Sequence, residues 1–483
     1  MGDIAFDSAI KLARRIKKRE ISSVELLDHY LARVDKYDGA LNAMPVDDRE
    51  RARVRARSAD DALARGEDWG PLQGVPMTVK ESYDIAGLRT TWGVPQFRDN
   101  VADSDALVIE RLKNAGAVIF GKTNVPLRLG DFQSYNEIYG TTKNPWDTAR
   151  TPGGSSGGSA AALAAGLAGL EAGSDIGGSI RNPAHYCGVF GHKPTWNLVP
   201  PRGHRVGGTL SVGDISVVGP LARSAADLRL SIEITAGPDE ILARGYALSL
   251  EKPKQKRLRD FRVAVWNDDP VAPVSKEVRA RVDAVADAFR QDGANVVDPD
   301  ARPEFSAAHS HYTYQNLLQA TLASRMAEEE YTALKRAAER FAADDKRPGP
   351  QTVRAQVSSF RDWSTHNEER TRIRWAWHRF FEKFDVLITP IMATSAFLHD
   401  HRAFGERTLR VDGVERPYFE QVFWAGLAGI AFLPGTIVPT GANGSGLPIG
   451  VQIIGPEFGD LTTIKAAELL ERAGFKFVPP KGY

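Results

Sequence analysis

Apolar positions along the chain fall first at helical spacing. Over residues 6–18 and 23–37 they recur three and four apart, and Ser22 with Glu25 opens the second run with the reciprocal pattern that caps a helix. Residues 49–65, rich in Arg and Ala, predict a third helix. Its basic residues are interspersed with acids, so they read as a solvated face and not as a nucleic-acid patch. The rhythm then changes. A turn over 71–74 feeds Val75-Pro76-Met77-Thr78-Val79, a short apolar run that predicts a strand with Lys80 at its tip. Ser104 predicts the cap of a helix reaching Lys113, and Ala117-Val118-Ile119-Phe120 predicts the strand after it.

Helix and strand patterns alternate through the rest of the chain. A small-residue helix is expected over 159–170, a loop over 200–213 and a helix capped by Ser224. Strand 261–266, helix 276–290 and strand 294–297 read as a βαβ unit. Long helices are expected over 307–345 and 353–384, broken near Arg347-Pro348-Gly349-Pro350. Strands at 386–388, around Ile437 and over 446–454 precede a closing helix from Leu461. The fold class that follows is α/β: one large domain over 1–483, with a mixed, twisted sheet covered on both faces by helices.

One stretch stands outside this alternation. Residues 150–188 hold two glycine-serine knots, Gly153-Gly154-Ser155-Ser156-Gly157-Gly158 and Gly177-Gly178-Ser179, with the small-residue helix between them. Glycine lets main-chain N–H groups converge on one negative atom, and a serine beside them is a nucleophile next to its own oxyanion site. A linker would not carry a packable helix between its glycines, so both knots are assigned to one active site.

Composition narrows the chemistry. With 62 Lys+Arg against 61 Asp+Glu, the formal charge is +1, so no overall field recruits nucleic acid or an anionic membrane. The single Cys187 forms no internal disulfide and offers no metal cluster, which suits packing in a reducing compartment. Residues 1–15 show no export signal, and the longest weakly polar run is too short to span a bilayer. A cytoplasmic protein with no cofactor and no metal is expected, acting on a small neutral substrate without nucleic acid or membrane as partner; a homodimer is compatible with this.

Three ways of using the serines compete. Gly153-Gly154-Ser155-Ser156-Gly157 matches a nucleophile elbow, but 143–152 has two prolines and little strand character to feed one. A Ser-acid-His triad would draw on His309, His311, His366, His378, His399 or His401, several of which fall in helix-surface patterns. No Gly-Lys-Ser/Thr follows the glycines, which removes a phosphate loop. The remaining activator is a lysine kept neutral by burial, and Lys80 is the candidate.

Gly74-Val75-Pro76-Met77-Thr78-Val79-Lys80, Gly121-Lys122-Thr123-Asn124, Asn144-Pro145-Trp146-Asp147, 152–159 and 173–184 together resemble the amidase signature family, and the likeness extends from about Ser22 to Gly455. The resemblance implies the amidase signature fold, with a signature core over about 70–225 and a substrate-pocket region over about 226–483. It also implies a Ser-cisSer-Lys triad: Ser179 the nucleophile, Ser155 the bridging serine with a cis peptide bond, and Lys80 the base. The N–H groups of Ile176, Gly177, Gly178 and Ser179 would form the oxyanion hole. Asp175 and Arg181 would brace that loop as a buried pair, and Ser156 would hydrogen-bond within it. Phe132, Tyr135 and Trp424 are the expected acyl-pocket residues. The activity implied is hydrolysis of a small carboxamide, anilide or carbamate through an acyl-enzyme. The alternatives are the glutaminase subunit of a tRNA amidotransferase, an esterase or urethanase of the family, and a non-catalytic binding protein on the same fold. Residues 124–135 depart from the acidic, serine-rich segment associated with the glutaminase.

Overall fold

The apolar run ending at Lys80 is a strand whose five residues are all buried, as a strand covered on both faces must be. The computed structural model describes residues 3–204, 208–297, 301–342, 344–345 and 347–483. Its strands are β1 (Val46–Asp47), β2 (Pro76–Lys80), β3 (Val118–Thr123), β4 (Tyr135–Asn136), β5 (Gly140–Thr141), β6 (Glu171–Asp175), β7 (Phe190–Lys193), β8 (Val217–Ala222), β9 (Arg262–Val265), β10 (Asn295–Val297), β11 (Val386–Thr389), β12 (Thr408–Val411), β13 (Val414–Pro417), β14 (Gly435–Ala442) and β15 (Pro448–Ile454). Eleven of them form one mixed sheet in the order β1-β3-β2-β6-β8-β7-β14-β15-β11-β9-β10; β4 pairs with β5 and β12 with β13 apart from it.

Successive side chains along a strand point to opposite faces, and the two cores follow that alternation. Val263, Val265, Val386, Ile388, Val438, Val451 and Ile453 enter one hydrophobic cluster, while Ala264, Leu387, Ile437, Ile449 and Ile454 enter the other. The first face is covered by helices Ala9–Lys17, Ser23–Leu41, Lys276–Asp292 and Asp460–Arg472, and the second by helices including Ala307–Ala323, Phe360–Lys383 and Val422–Ile430. The expected single α/β domain with helices on both faces is what the chain forms. β9 and β10 pair in parallel around helix Lys276–Asp292, the βαβ unit read from the pattern. Among the described residues no helix is long and apolar enough to cross a membrane.

Several boundaries differ, each for a local reason. Ser104 does not cap the fourth helix, which begins at Leu107. Its first N–H groups are met by backbone carbonyls brought in by the fold, with Ala106 N–H donating to Asp84 O and Leu107 N–H to Arg202 O. Pro348 starts a helix, Pro348–Gln356, where a break is expected, because proline suits the first helical turn. The reciprocal cap of Ser359 and Asp362 then starts Phe360–Lys383 separately. The run expected over 307–345 is two helices, Ala307–Ala323 and Glu328–Ala338. The small-residue helix is Gly157–Ala164 and stops short of 170, as Leu167 N–H turns back to Ala162 O and Gly169 N–H pairs with Pro76 O. Within the expected loop 200–213, residues 205–207 lie outside the described residues.

Candidate active site

β2 and β6 lie side by side in parallel, yet the chain leaves β2 for β3 on one side and later enters β6 on the other. Strand pairs whose connections part in this way leave a crevice at their carboxyl ends. Lys80 ends β2, and Ser174 and Asp175 end β6. The two glycine-serine knots meet there. Ser156 N–H donates to Ser179 O at 3.1 Å, Ser156 Oγ donates to Ser174 O at 3.3 Å, and Gly154 N–H donates to Asn182 Oδ1 at 3.1 Å. The Gly154–Ser155 peptide is cis. A side chain at Gly154 would run into the carbonyl oxygens of Asp131 and Gln133, so glycine is required there by close approach.

Lys80 is fully buried, with Nζ 2.6 Å from Ser155 Oγ and 2.9 Å from Ser174 Oγ. Burial brings its pKa down to about 7, against the opposing pull of the Asp175, Glu171 and Glu81 carboxylates. Among the described residues no carboxylate lies within ion-pair distance of its amine. The neighbouring Glu171, buried beside Thr78, is itself raised to about 8 by burial, which weakens the charge that would otherwise hold Lys80 protonated. The group that ends β2 is therefore an amine with a substantial deprotonated fraction at physiological pH.

Asp175 shapes the loop that follows. Its Oδ1 accepts from Gly178 N–H at 2.9 Å and Arg181 Nη2 at 2.8 Å; its Oδ2 accepts from Ile180 N–H at 3.0 Å and Arg181 Nε at 3.0 Å. Both side chains of this pair are fully buried. Burial opposes the charge on Asp175, but the Arg181 guanidinium and these bonds bring its pKa to about 2. Gly178 turns the loop at φ 107, a region that side-chain-bearing residues avoid. With Gly178 N–H held by Asp175, the N–H groups of Ile176, Gly177 and Ser179 are the three of the expected four that donate to no acceptor among the described residues. Tyr314 Oη donates to Ile176 O at 2.9 Å and holds the loop from the opposite side.

Ser155, Ser174 and Ser179 line one cavity of about 380 Å³, whose walls include Trp92, Val94, Phe97, Leu129, Leu322 and Met326. Trp92, Arg128 and Leu129 on this wall take φ of 55°, 53° and 59°, the left-handed region in which bulky residues are strained. The three aromatics expected against the acyl group are elsewhere. Phe132 packs with Tyr418 and Phe419, Tyr135 Oη accepts from Arg407, and Trp424 is fully buried with Nε1 donating to Ala272 O. Aromatic residues near the motifs in sequence enter the core and a neighbouring hydrogen-bond cluster, while much of the cavity's apolar wall comes from 92–97 and 322–326. Of the cavity groups, Ser174 lies inside a glycine-serine motif and is within reach of sequence reading. Trp92 and Leu322 carry no local signal, and neither does Tyr314, which holds the loop at Ile176 O. Asn144 and Thr123 act as struts: Asn144 Nδ2 bridges Thr151 O and Tyr186 O at 3.0 Å each, and Thr123 Oγ1 bonds Ser159 Oγ at 2.8 Å.

The profile of the family Amidase matches residues 25–464. A glutamyl-tRNA(Gln) amidotransferase component from Anaeromyxobacter sp. (strain K) is 35% identical, with 95% of this chain and 94% of that one covered. The corresponding protein from Carboxydothermus hydrogenoformans is 32% identical, with 97% and 98% covered. Among solved structures, an inhibitor-bound chain from a vestigial protein complex bearing on the origins of an s-triazine catabolic enzyme superposes with a TM-score of 0.81 at 29% identity, covering 98% and 99%. The two amidotransferase relatives favour the glutaminase alternative over the stand-alone hydrolase expected first.

Proposed function

This chain belongs to the amidase family of enzymes that cleave amide C–N bonds, and from that premise we propose that it does so by acyl transfer to Ser179. The observation that carries this is the buried, near-neutral amine of Lys80 within 2.6 Å of the Ser155 hydroxyl. A hydroxyl both donates and accepts, so Ser155 can take the proton of Ser179 while giving its own to Lys80 Nζ. Ser179 Oγ adds to the substrate carbonyl, and the oxygen that gains charge is met by the open N–H groups of Ile176, Gly177 and Ser179. The proton returns through Ser155 to the leaving nitrogen, which departs poorly as an anion, and water then releases the acyl group by the same relay.

Kinship weighs toward the glutaminase of a tRNA amidotransferase, with glutamine as the amide donor. One observation favours the second reading, a stand-alone hydrolase of a small carboxamide, anilide, carbamate or ester. The surface of the cavity beside Ser179 is mainly apolar, with Trp92, Val94, Phe97, Leu129, Leu322 and Met326 among polar neighbours, and suits an apolar substrate body better than glutamine. The nucleophile is tested by intact mass after treatment with a fluorophosphonate. One adduct is expected on the wild type and none on Ser179→Ala, and an adduct that moves to Ser155 reverses the roles of the two serines. Assaying the chain alone against glutamine, benzamide, anilides and carbamates separates the substrate readings: anilide or carbamate turnover with inert glutamine supports the second, and glutamine turnover only after a partner is added supports the first.

A further inference from the structure

The cavity beside Ser179 carries one unmatched charge among the described residues on its wall. Asp175 is paired with Arg181, and Arg128 makes two bonds to Glu330, at 2.7 and 3.1 Å. Arg325, just past the end of helix Ala307–Ala323, has no carboxylate partner. Its Nη2 donates to Ser211 O and Oγ, both at 3.2 Å, which fixes the guanidinium plane, while Nη1 and Nε reach no acceptor among the described residues. Arg325 is exposed to solvent and only partly shielded by its surroundings, with no acidic neighbour acting on it. A guanidinium keeps its charge under those conditions, and three N–H donors remain for whatever enters the cavity.

We propose that Arg325 is the specificity-determining anchor of this site, and that it binds a carboxylate carried by the amide substrate at the end away from the scissile bond. The inference rests on the reading that the Ser179 cavity is the active site. The substrate class it selects is an amide with an apolar middle, set against Trp92, Phe97 and Leu322, and an anionic terminus. A terminal carboxylate takes a charge-assisted hydrogen bond from a cation that Ser211 already holds in place, so less is lost in ordering it. The carboxylate can belong to the acyl half or to the amine half, and either satisfies the same guanidinium.

Binding to the Ser179→Ala protein, measured by calorimetry, tests this without turnover. Three probes of similar size are compared: phenylacetic acid 4-methylanilide, its 4-carboxyanilide, and the anilide of 4-carboxyphenylacetic acid. One of the two carboxylated probes should bind about 10- to 100-fold more tightly than the neutral one, and which of them does so assigns the anionic half. Arg325→Gln in the same background should remove that preference, and Arg325→Lys, which keeps the charge and loses the planar fork, should retain part of it. Added salt should narrow the preference in the protein with Arg325 intact, a check that needs no change at position 325. Equal binding of all three probes, binding of none, a preference that survives Arg325→Gln, or one indifferent to salt overturns the proposal. Fluorophosphonate labelling reports separately on the catalytic reading: no adduct on Ser179 with the carboxylate preference intact would remove the nucleophile and leave the anchor standing.

Discussion

Two lysines in this molecule are buried alike and differ in what they touch. Lys80 at the end of β2 and Lys193 at the end of β7 are both removed from water, and burial brings each to about 7. Lys80 meets the hydroxyls of Ser155 and Ser174. Lys193 donates to the carbonyl oxygens of Pro194 at 3.0 Å and Leu433 at 2.7 Å. A carbonyl only accepts, so it stabilises an amine without passing a proton on, whereas a hydroxyl does both. Lys122, brought to about 8 by burial and bonded to Arg89 O and Thr90 Oγ1, is a third buried amine, and its hydroxyl partner belongs to neither glycine-serine knot. A lowered lysine pKa is therefore common in this fold, and what sets Lys80 apart is a hydroxyl partner that lines the same cavity as Ser179.

The largest expected effect breaks the comparison on the side of Lys80. Lys80→Met should lower kcat/KM by about 10⁴-fold, about 5.5 kcal/mol, as removal of a general base requires. In the wild type the base acts when deprotonated, so kcat/KM should rise with pH through about 7 and level off above it. Equal rates and equal profiles for wild type and Lys80→Met would take the lysine out of the mechanism.

Asp175 raises the pKa of both lysines and also pairs Arg181, so Asp175→Asn probes what they share. Leaving Arg181 buried without its carboxylate should cost about 3–5 kcal/mol in urea unfolding. In whatever folds, the midpoint of the pH–rate profile should move below 7, because a charge that favoured protonated Lys80 is gone. An unmoved midpoint would mean that the profile belongs to another group.

Lys193→Met should cost about 1–3 kcal/mol of stability, by stranding two buried carbonyls, and change kcat/KM by less than about tenfold. A loss of rate as large as that of Lys80→Met would erase the distinction between the two lysines. The smallest effect sharpens it. Ser174→Ala removes the second hydroxyl from Lys80 and should lower kcat by about tenfold with KM little changed, since the bond it deletes orients the base and not the substrate.

Much of this arrangement is legible in the chain. The alternation of helix and strand patterns predicts one α/β domain, and the capping pattern of Ser22 with Glu25 is present at the start of helix Ser23–Leu41. The glycine-serine knots mark where backbone comes closest to backbone, and the Asp175–Arg181 pair beside them is buried as expected. β6 has no signature of its own, because Glu-Ala-Gly-Ser-Asp has no β-branched or aromatic residue. It is a strand because β2 and β8 on either side satisfy its backbone. The pocket is hidden for a related reason. Trp92 stands far in sequence from Leu322 and Arg325, and their local patterns are those of ordinary loop and helix residues.

The sequence by itself determined what depends on neighbours along the chain: element type, the glycines that close approach demands, and a serine placed within a turn of amides. Only the tertiary structure decided which amine is desolvated next to a hydroxyl, which N–H groups stay open once Asp175 has taken Gly178, and which arginine faces the cavity without a counter-ion. Burial and pairing depend on atoms brought together from distant segments. The same lysine or arginine letter thus carries no chemistry until the sheet and its helices have set its surroundings.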